Sequence, residues 1–175
     1  MENWNVAVCK RDPEADYYLM NKSRTPIKFT TKVPFNMGEF LSVLEDVKFP
    51  LKFTNGLELI QFRRIKNCYG MYGSDVVEMG AKPKRPMKMY VETFVHEVAH
   101  HIDSEEDFSN DLSEERRKKG KYIGHDEARK SNSEYFARGF EKYYSPDPAD
   151  KKHLRKKCPH LYRTIQRLHR KYANK

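Results

Sequence analysis

Apolar positions along the chain change their spacing from one region to the next, and the changes mark out its elements. Phe40, Val43, Leu44 and Val47 return every three or four residues, behind an Asn36-Met37-Gly38-Glu39 stretch that sets a capping asparagine three positions before a glutamate. This pattern predicts a short helix over 37–47, stopped by Pro50. Leu57 to Asn67 follows the turn signal Asn55-Gly56 and is rich in strand formers, so it reads as a strand. Tyr69 to Ser74, with two glycines, reads as a turn, Asp75 to Met79 as a second strand, and Lys82 to Pro86 as a basic loop. From Lys88 the period lengthens. Val91, Val95, Val98 and Ile102 fall on one stripe of a helix of about four turns. Residues 103–130 are polar, with a short helix expected near 111–119, closed by Gly120. Ser131 to Tyr144 is again helical, its apolar side made by Phe136, Phe140, Tyr143 and Tyr144, and Ser145-Pro146-Asp147-Pro148 stops it. Leu161, Ile165, Leu168 and Tyr172 mark a last amphipathic helix. The stretch before Thr31 is mixed and turn-rich, and no element is assigned to it. The order of elements indicates an α+β fold.

Composition adds limits. The chain has 175 residues, 38% hydrophobic and 13% aromatic, enough for one domain with a packed core. No apolar run is long enough to span a membrane, and no charged-then-apolar leader opens the chain, so a cytoplasmic location is expected. Cys9, Cys68 and Cys158 are odd in number and scattered, which suits a reducing compartment. The net charge of +9 is unevenly placed: residues 151–175 hold ten of the 34 Lys and Arg and no acid. The chain therefore divides into a nearly neutral body, 1–150, and a basic helical tail, 151–175. The tail is a possible polyanion- or nucleic-acid-binding appendage.

The chemistry lies in His96-Glu97-Val98-Ala99-His100, an HExxH sequence within the most periodic helix. Residues i and i+4 stand one above the other on a helix, so two imidazoles can meet one zinc ion at about 2.0–2.1 Å. Glu97 projects beside them as a general base. His101 points away from the pair and reads as a supporting or surface residue. A catalytic zinc needs a third protein ligand. The metzincin pattern requires Gly at 103 and His at 106, but the chain has Asp103 and Glu106. The gluzincin pattern takes a Glu from a later helix. Glu134 is favoured, because Glu134-Tyr135-Phe136-Ala137 sets a carboxylate opposite an aromatic face. Glu127 and Glu141 are rivals, and Ser131-x-x-Glu134 also fits a capping box. Glu105 and Glu106 follow the motif too closely to fold back.

The stretch Thr93 to Asp103, followed by Ser133-Glu134-Tyr135-Phe136-Ala137 and the aromatics of Phe140 to Tyr144, resembles the zincin domain of the anthrax lethal factor-like metallopeptidases, a gluzincin group that includes the Pro-Pro endopeptidases. The likeness covers roughly residues 57–144. It implies a zincin-like fold: a small twisted sheet packed on the HExxH helix, then a mostly helical C-terminal half. It also implies zinc on His96, His100 and Glu134, Glu97 as the base, and a peptide substrate lying along the strand near 75–79 as the edge strand. Two positions depart from the family: Glu127 stands where a catalytic Tyr is usual, and Arg138 where an acid is common. Tyr122 and His125 are then the nearby candidates for stabilising the oxyanion.

The expected function is a zinc-dependent metalloendopeptidase acting on a protein or peptide. One alternative is a DNA-associated protease resembling the SprT-like group. Such a protease would use the basic tail and a third His, for which His125 and His153 are the possible donors. Another is a zincin-fold binding protein without turnover. His153, Cys158 and His160 are too irregularly spaced to be read as a second metal site.

Overall fold

The alternation of buried and exposed positions in two short segments builds the sheet that carries the site. The computed structural model describes residues 6–12, 15–20, 26–29, 37–63, 65, 68–80 and 85–173, with side chains from residue 38 onward except 51. Strands β1 (Val6–Asp12), β2 (Ala15–Met20), β3 (Pro26–Phe29), β4 (Leu59–Arg63), β5 (Gly70–Gly73) and β6 (Val76–Gly80) form one mixed sheet in the order β1-β2-β3-β4-β6-β5. β3, β4 and β6 run parallel, and the other neighbours are antiparallel. The β4–β6 register sets Ile60 against Val77 and Phe62 against Met79, and all four side chains are buried. Period-two alternation therefore turns one apolar face onto the helices.

Three expectations change here. The opening stretch, given no element from sequence, supplies three strands. The strand expected over Leu57 to Asn67 is the shorter β4. The segment read as a turn over Tyr69 to Ser74 is instead β5, and the turn is Ser74-Asp75, both with positive φ (49° and 60°). Two left-handed residues between antiparallel strands make a tight hairpin whose twist matches the sheet. The segment Asp75 to Met79 is thus not the edge strand. β6 lies between β4 and β5, and β5 is the edge.

The helices are α1 (Met37–Asp46), α2 (Met87–Glu106), α3 (Ser113–Lys119), α4 (Glu127–Lys130), α5 (Asn132–Tyr143), α6 (Pro148–Lys157) and α7 (Pro159–Ala173), with a 3-10 turn over Leu51–Thr54. α2 runs for 20 residues, longer than the four turns expected. Val91, Val95, Val98 and Ile102 are buried as predicted, but so are His96, Glu97, His101 and Asp103. The helix is enclosed nearly all round, because the sheet covers one side and α5 another.

An aromatic cluster fixes α5 against α2. Phe49 meets Phe94 at 5.8 Å and Tyr144 at 5.0 Å between ring centres, and Phe53 meets Phe140 at 5.2 Å, each edge to face. Phe40 of α1 touches both Phe62 of the sheet and Phe94 of α2 in the same geometry. These rings bury large areas and prefer such angles, so they set the spacing between the helix that carries HExxH and the helix that carries Glu134.

The basic tail belongs to this core. Asp147 caps α6, its carboxylate accepting from the Ala149 amide at 2.9 Å, and Pro148 starts the helix. Residue 150 therefore lies inside a helix. Leu154, Cys158, Leu161, Ile165 and Leu168 are fully buried, while Arg155, Lys156, Arg163, Arg167 and Arg170 face solvent. Gly139 of α5 lets α7 approach closely, since a Cβ there would stand 2.3 Å from Leu161 Cδ2. Among the described residues no helix is long and apolar enough to cross a membrane.

Candidate metal centre

On α2 the four-residue spacing brings two imidazole nitrogens together, with His96 Nε2 3.2 Å from His100 Nε2. Glu134 enters from the first turn of α5. Ser131 caps that helix by accepting from the Glu134 amide at 3.3 Å, so Glu134 does occupy the capping-box position. Its carboxylate, however, faces the imidazoles. Oε1 lies 3.2 Å from His100 Nε2 and Oε2 3.6 Å from His96 Nε2.

The outer imidazole nitrogens each stand beside an oxygen, and only that of His100 is hydrogen-bonded. His100 Nδ1 meets Ser133 Oγ at 2.9 Å, and His96 Nδ1 faces Glu141 Oε2 at 3.4 Å. Arg138 donates to the same Glu141 oxygen at 2.7 Å. An oxygen beside each Nδ1 is compatible with the tautomer whose lone pair sits on Nε2, the arrangement that orients histidine ligands. A cation entering here would displace the proton that His100 Nε2 gives Glu134 Oε1, and two lone pairs and a carboxylate would then converge on it. Two bonds of about 2.05 Å meeting near the tetrahedral angle set their ligand atoms about 3.3 Å apart. The three observed separations bracket that value, so the residues present fit a zinc ion.

Protonation agrees with the donor set. The His100 hydrogen bond holds the Glu134 carboxyl down to about 2 despite its partial burial, so it is ionised at neutral pH. Burial lowers the His96 pKa, which keeps the ring neutral. Burial alone would raise Glu141, but His96 and Arg138 outweigh it and leave its carboxyl below the ordinary range. Glu97 differs from all of these. Burial pushes it up to about 7, and only the nearby positive charges oppose the rise.

These side chains open into a cleft of about 1050 Å³ between α2, the start of α5 and β5. Gly70 of β5 packs directly on the motif: a Cβ there would lie 2.7 Å from Glu97 Oε1 and 2.6 Å from Thr93 Cγ2. A glycine is therefore required for the edge strand to pass this close to Glu97. Tyr69 and Met71 flank it as the exposed large hydrophobic side chains among the described residues, at 52% and 44% exposure.

The remaining candidates separate. His125 lines the cleft, its Nδ1 paired with the Glu127 carboxylate. Tyr122 does not line it. Its ring lies among the ammonium groups of Lys119, Lys121 and Lys157, and its carbonyl meets His153 Nε2 at 3.0 Å. His153 is thereby engaged away from the imidazole pair. Cys158 is buried, whereas His160 is exposed and its amide donates to Glu115, so these residues do not gather with His153 around one point. Glu106 pairs with Lys171 and Tyr172. His101 is not a surface residue. It is buried, with Nε2 2.8 Å from the Asn55 carbonyl.

Sequence reasoning passed over Ser133 and Gly70, and it weighed Glu141 only as a direct ligand. The adjacency of Ser133 to Glu134 and the placement of Glu141 seven residues further along the same helix were the available signals. Comparison with protein-family models and with curated proteins finds no match for the chain.

Proposed function

We propose that the protein is a zinc metalloendopeptidase of the gluzincin type, with a zincin-like arrangement of sheet and helices, acting on an extended peptide. The observation that carries this reading is the meeting of His96, His100 and Glu134 within 3.2–3.6 Å of one another, in the cleft that Glu97 also lines. A zinc ion bound there would supply Lewis acidity, polarising a peptide carbonyl and acidifying a water molecule.

The other steps belong to the chain's own residues. Glu97, whose pKa sits near neutrality, accepts a proton from the attacking water and delivers it to the departing amine. Gly70 brings β5 against that carboxylate, so a peptide paired along β5 lies with its backbone over Glu97. Among the described residues no strand pairs with the outer edge of β5, which leaves its backbone groups on that side to hold the substrate. Tyr69 and Met71 then face the substrate's side chains. Of the two candidates for the oxyanion, His125 supports the role by its place in the cleft, held by Glu127; Tyr122 has no such support.

Paired substitutions test the assignment. Glu97→Gln is expected to keep the zinc content of the unaltered protein and to lose about 10²–10⁴ of the peptidase rate. Glu134→Ala is expected to lose one equivalent of zinc and the activity with it. Near-normal turnover in Glu97→Gln, or full zinc in Glu134→Ala, would overturn the reading. Retained zinc with no cleavage of a broad peptide library by the unaltered protein would favour a binding protein instead.

A further inference from the structure

One helical turn beyond the HExxH pair, a second cluster of ligand types meets where α2 passes the β5–β6 turn. The donor atoms of Asp75, His101 and Glu105 lie within 4.8 Å of one another. His101 and Glu105 are four residues apart on α2, and Asp75 is the second residue of the hairpin turn. None of the three takes part in the first site, and adjacent helix positions such as 100 and 101 point about 100° apart.

The hydrogen bonds around His101 point to a ligand. Its ring is 2% exposed. Nε2 lies 2.8 Å from the Asn55 carbonyl, which can only accept, so Nε2 carries a proton and, in the neutral ring, Nδ1 holds the lone pair. That lone pair faces Asp75 Oδ1 at 3.7 Å and the Tyr72 hydroxyl at 3.3 Å. Tyr72 also lies 3.0 Å from Asp75 Oδ1 and 2.8 Å from Ser104 Oγ, and Ser104 donates to the His101 carbonyl. Tyr72 has one proton, which it donates to Asp75 Oδ1, so it does not also donate to His101 Nδ1. The buried His101 Nδ1 then turns its lone pair toward Asp75, in the cluster with the carboxylate of Glu105. A buried acceptor left in this state is costly, and a cation removes the cost.

We propose that Asp75, His101 and Glu105 form a second divalent-cation site, which pins the β5–β6 turn to α2. One imidazole with two carboxylates suits a borderline ion, Zn²⁺ or Mn²⁺, better than Mg²⁺ or Ca²⁺. Asp75 and Glu105 are open enough to solvent for an ion to enter. The pin fixes the far end of the strand that places Gly70 over Glu97.

Metal content tests this apart from activity. Chelator-stripped protein is loaded with ZnCl2, and in a parallel sample MnCl2, freed of excess, and counted by mass spectrometry of the metal. In a His100→Ala, Glu134→Ala background, which removes the first site from the count, one equivalent of at least one of the two ions is expected. It should fall to none on adding Asp75→Asn and Glu105→Gln. These two changes preserve the fold, since Asn tolerates the left-handed turn and Glu105 is exposed; circular dichroism verifies this. Hydrogen exchange at residues 70–76 should slow when the ion binds. Absence of both metals in the first background, or metal that survives Asp75→Asn with Glu105→Gln, overturns the proposal. Failure of the first site reads differently: the unaltered protein and the His100→Ala, Glu134→Ala variant would bind equal amounts.

Discussion

Single side chains in this protein act through their neighbours, and Gly70 is the clearest case. Gly70→Ala forces a methyl group against Glu97 and Thr93, at separations near 2.7 Å that ordinary carbon contacts do not allow. The strand or the carboxylate must move. We expect zinc content to be unchanged and the peptidase rate to fall about 10²-fold, the scale of an ångström-sized misplacement of a reacting group. An activity assay beside a metal count checks both halves. Glu141 makes the complementary case. It stands outside the His96, His100 and Glu134 group, but its carboxylate faces His96 Nδ1 and is held by Arg138. Glu141→Ala should weaken zinc binding about 10–100-fold in a chelator competition, while Glu97 remains able to act.

At the scale of elements, the glycines of β5 misled the sequence reading. Gly70-Met71-Tyr72-Gly73 has the composition of a turn, yet Gly70 serves close approach to α2, and the turn uses Ser74 and Asp75 instead. Nothing local to the chain distinguishes those uses of glycine. α7 was legible as an amphipathic helix from Leu161, Ile165 and Leu168, but its basic face was read as an appendage because charge marks the solvent side only. Its apolar side fills the core against Gly139. Gly139→Ala should therefore destabilise the fold by about 1–3 kcal/mol, through overpacking against Leu161. Deleting 151–175 should abolish cooperative unfolding rather than yield a smaller folded protein. Denaturant titration measures the first and thermal melting the second. A test of polyanion binding must accordingly reverse exposed charges such as Arg163 and Arg167, and look for the salt dependence expected of backbone phosphate contacts.

For the molecule as a whole, stability depends on groups far from the cleft. His169 of α7 is half-buried, 2.9 Å from the Tyr144 hydroxyl, and burial lowers its pKa, with Lys151, Lys48 and Arg170 adding repulsion. The folded protein therefore resists protonation there, whereas the unfolded chain takes up a proton near pH 6.5. Stability from this residue is fully present above about pH 6.5 and declines as pH falls toward the lower folded value. Melting temperature between pH 7.5 and 5.5 should drop more in the unaltered protein than in His169→Gln. An equal drop in both would remove His169 as the cause.

The sequence by itself determined the α+β class, the long helix of HExxH, the helix that opens with Ser131 and Glu134, and the apolar stripes of both. These follow from residue spacing along one element, and spacing is written directly in the chain. It also made His96, Glu97 and His100 legible as a unit, because i and i+4 meet on any helix. Only the tertiary structure decided that Glu134, rather than Glu127 or Glu141, meets the Nε2 atoms of both imidazoles, and that β5 rather than β6 is the edge strand. It alone placed Tyr122 outside the cleft and His101 inside the protein. Each of these depends on how two elements distant in sequence are set against each other. That setting comes from the shapes of Phe49, Phe53, Phe94, Phe140 and Tyr144 as they interlock, a property of packed volumes that no one-dimensional pattern contains.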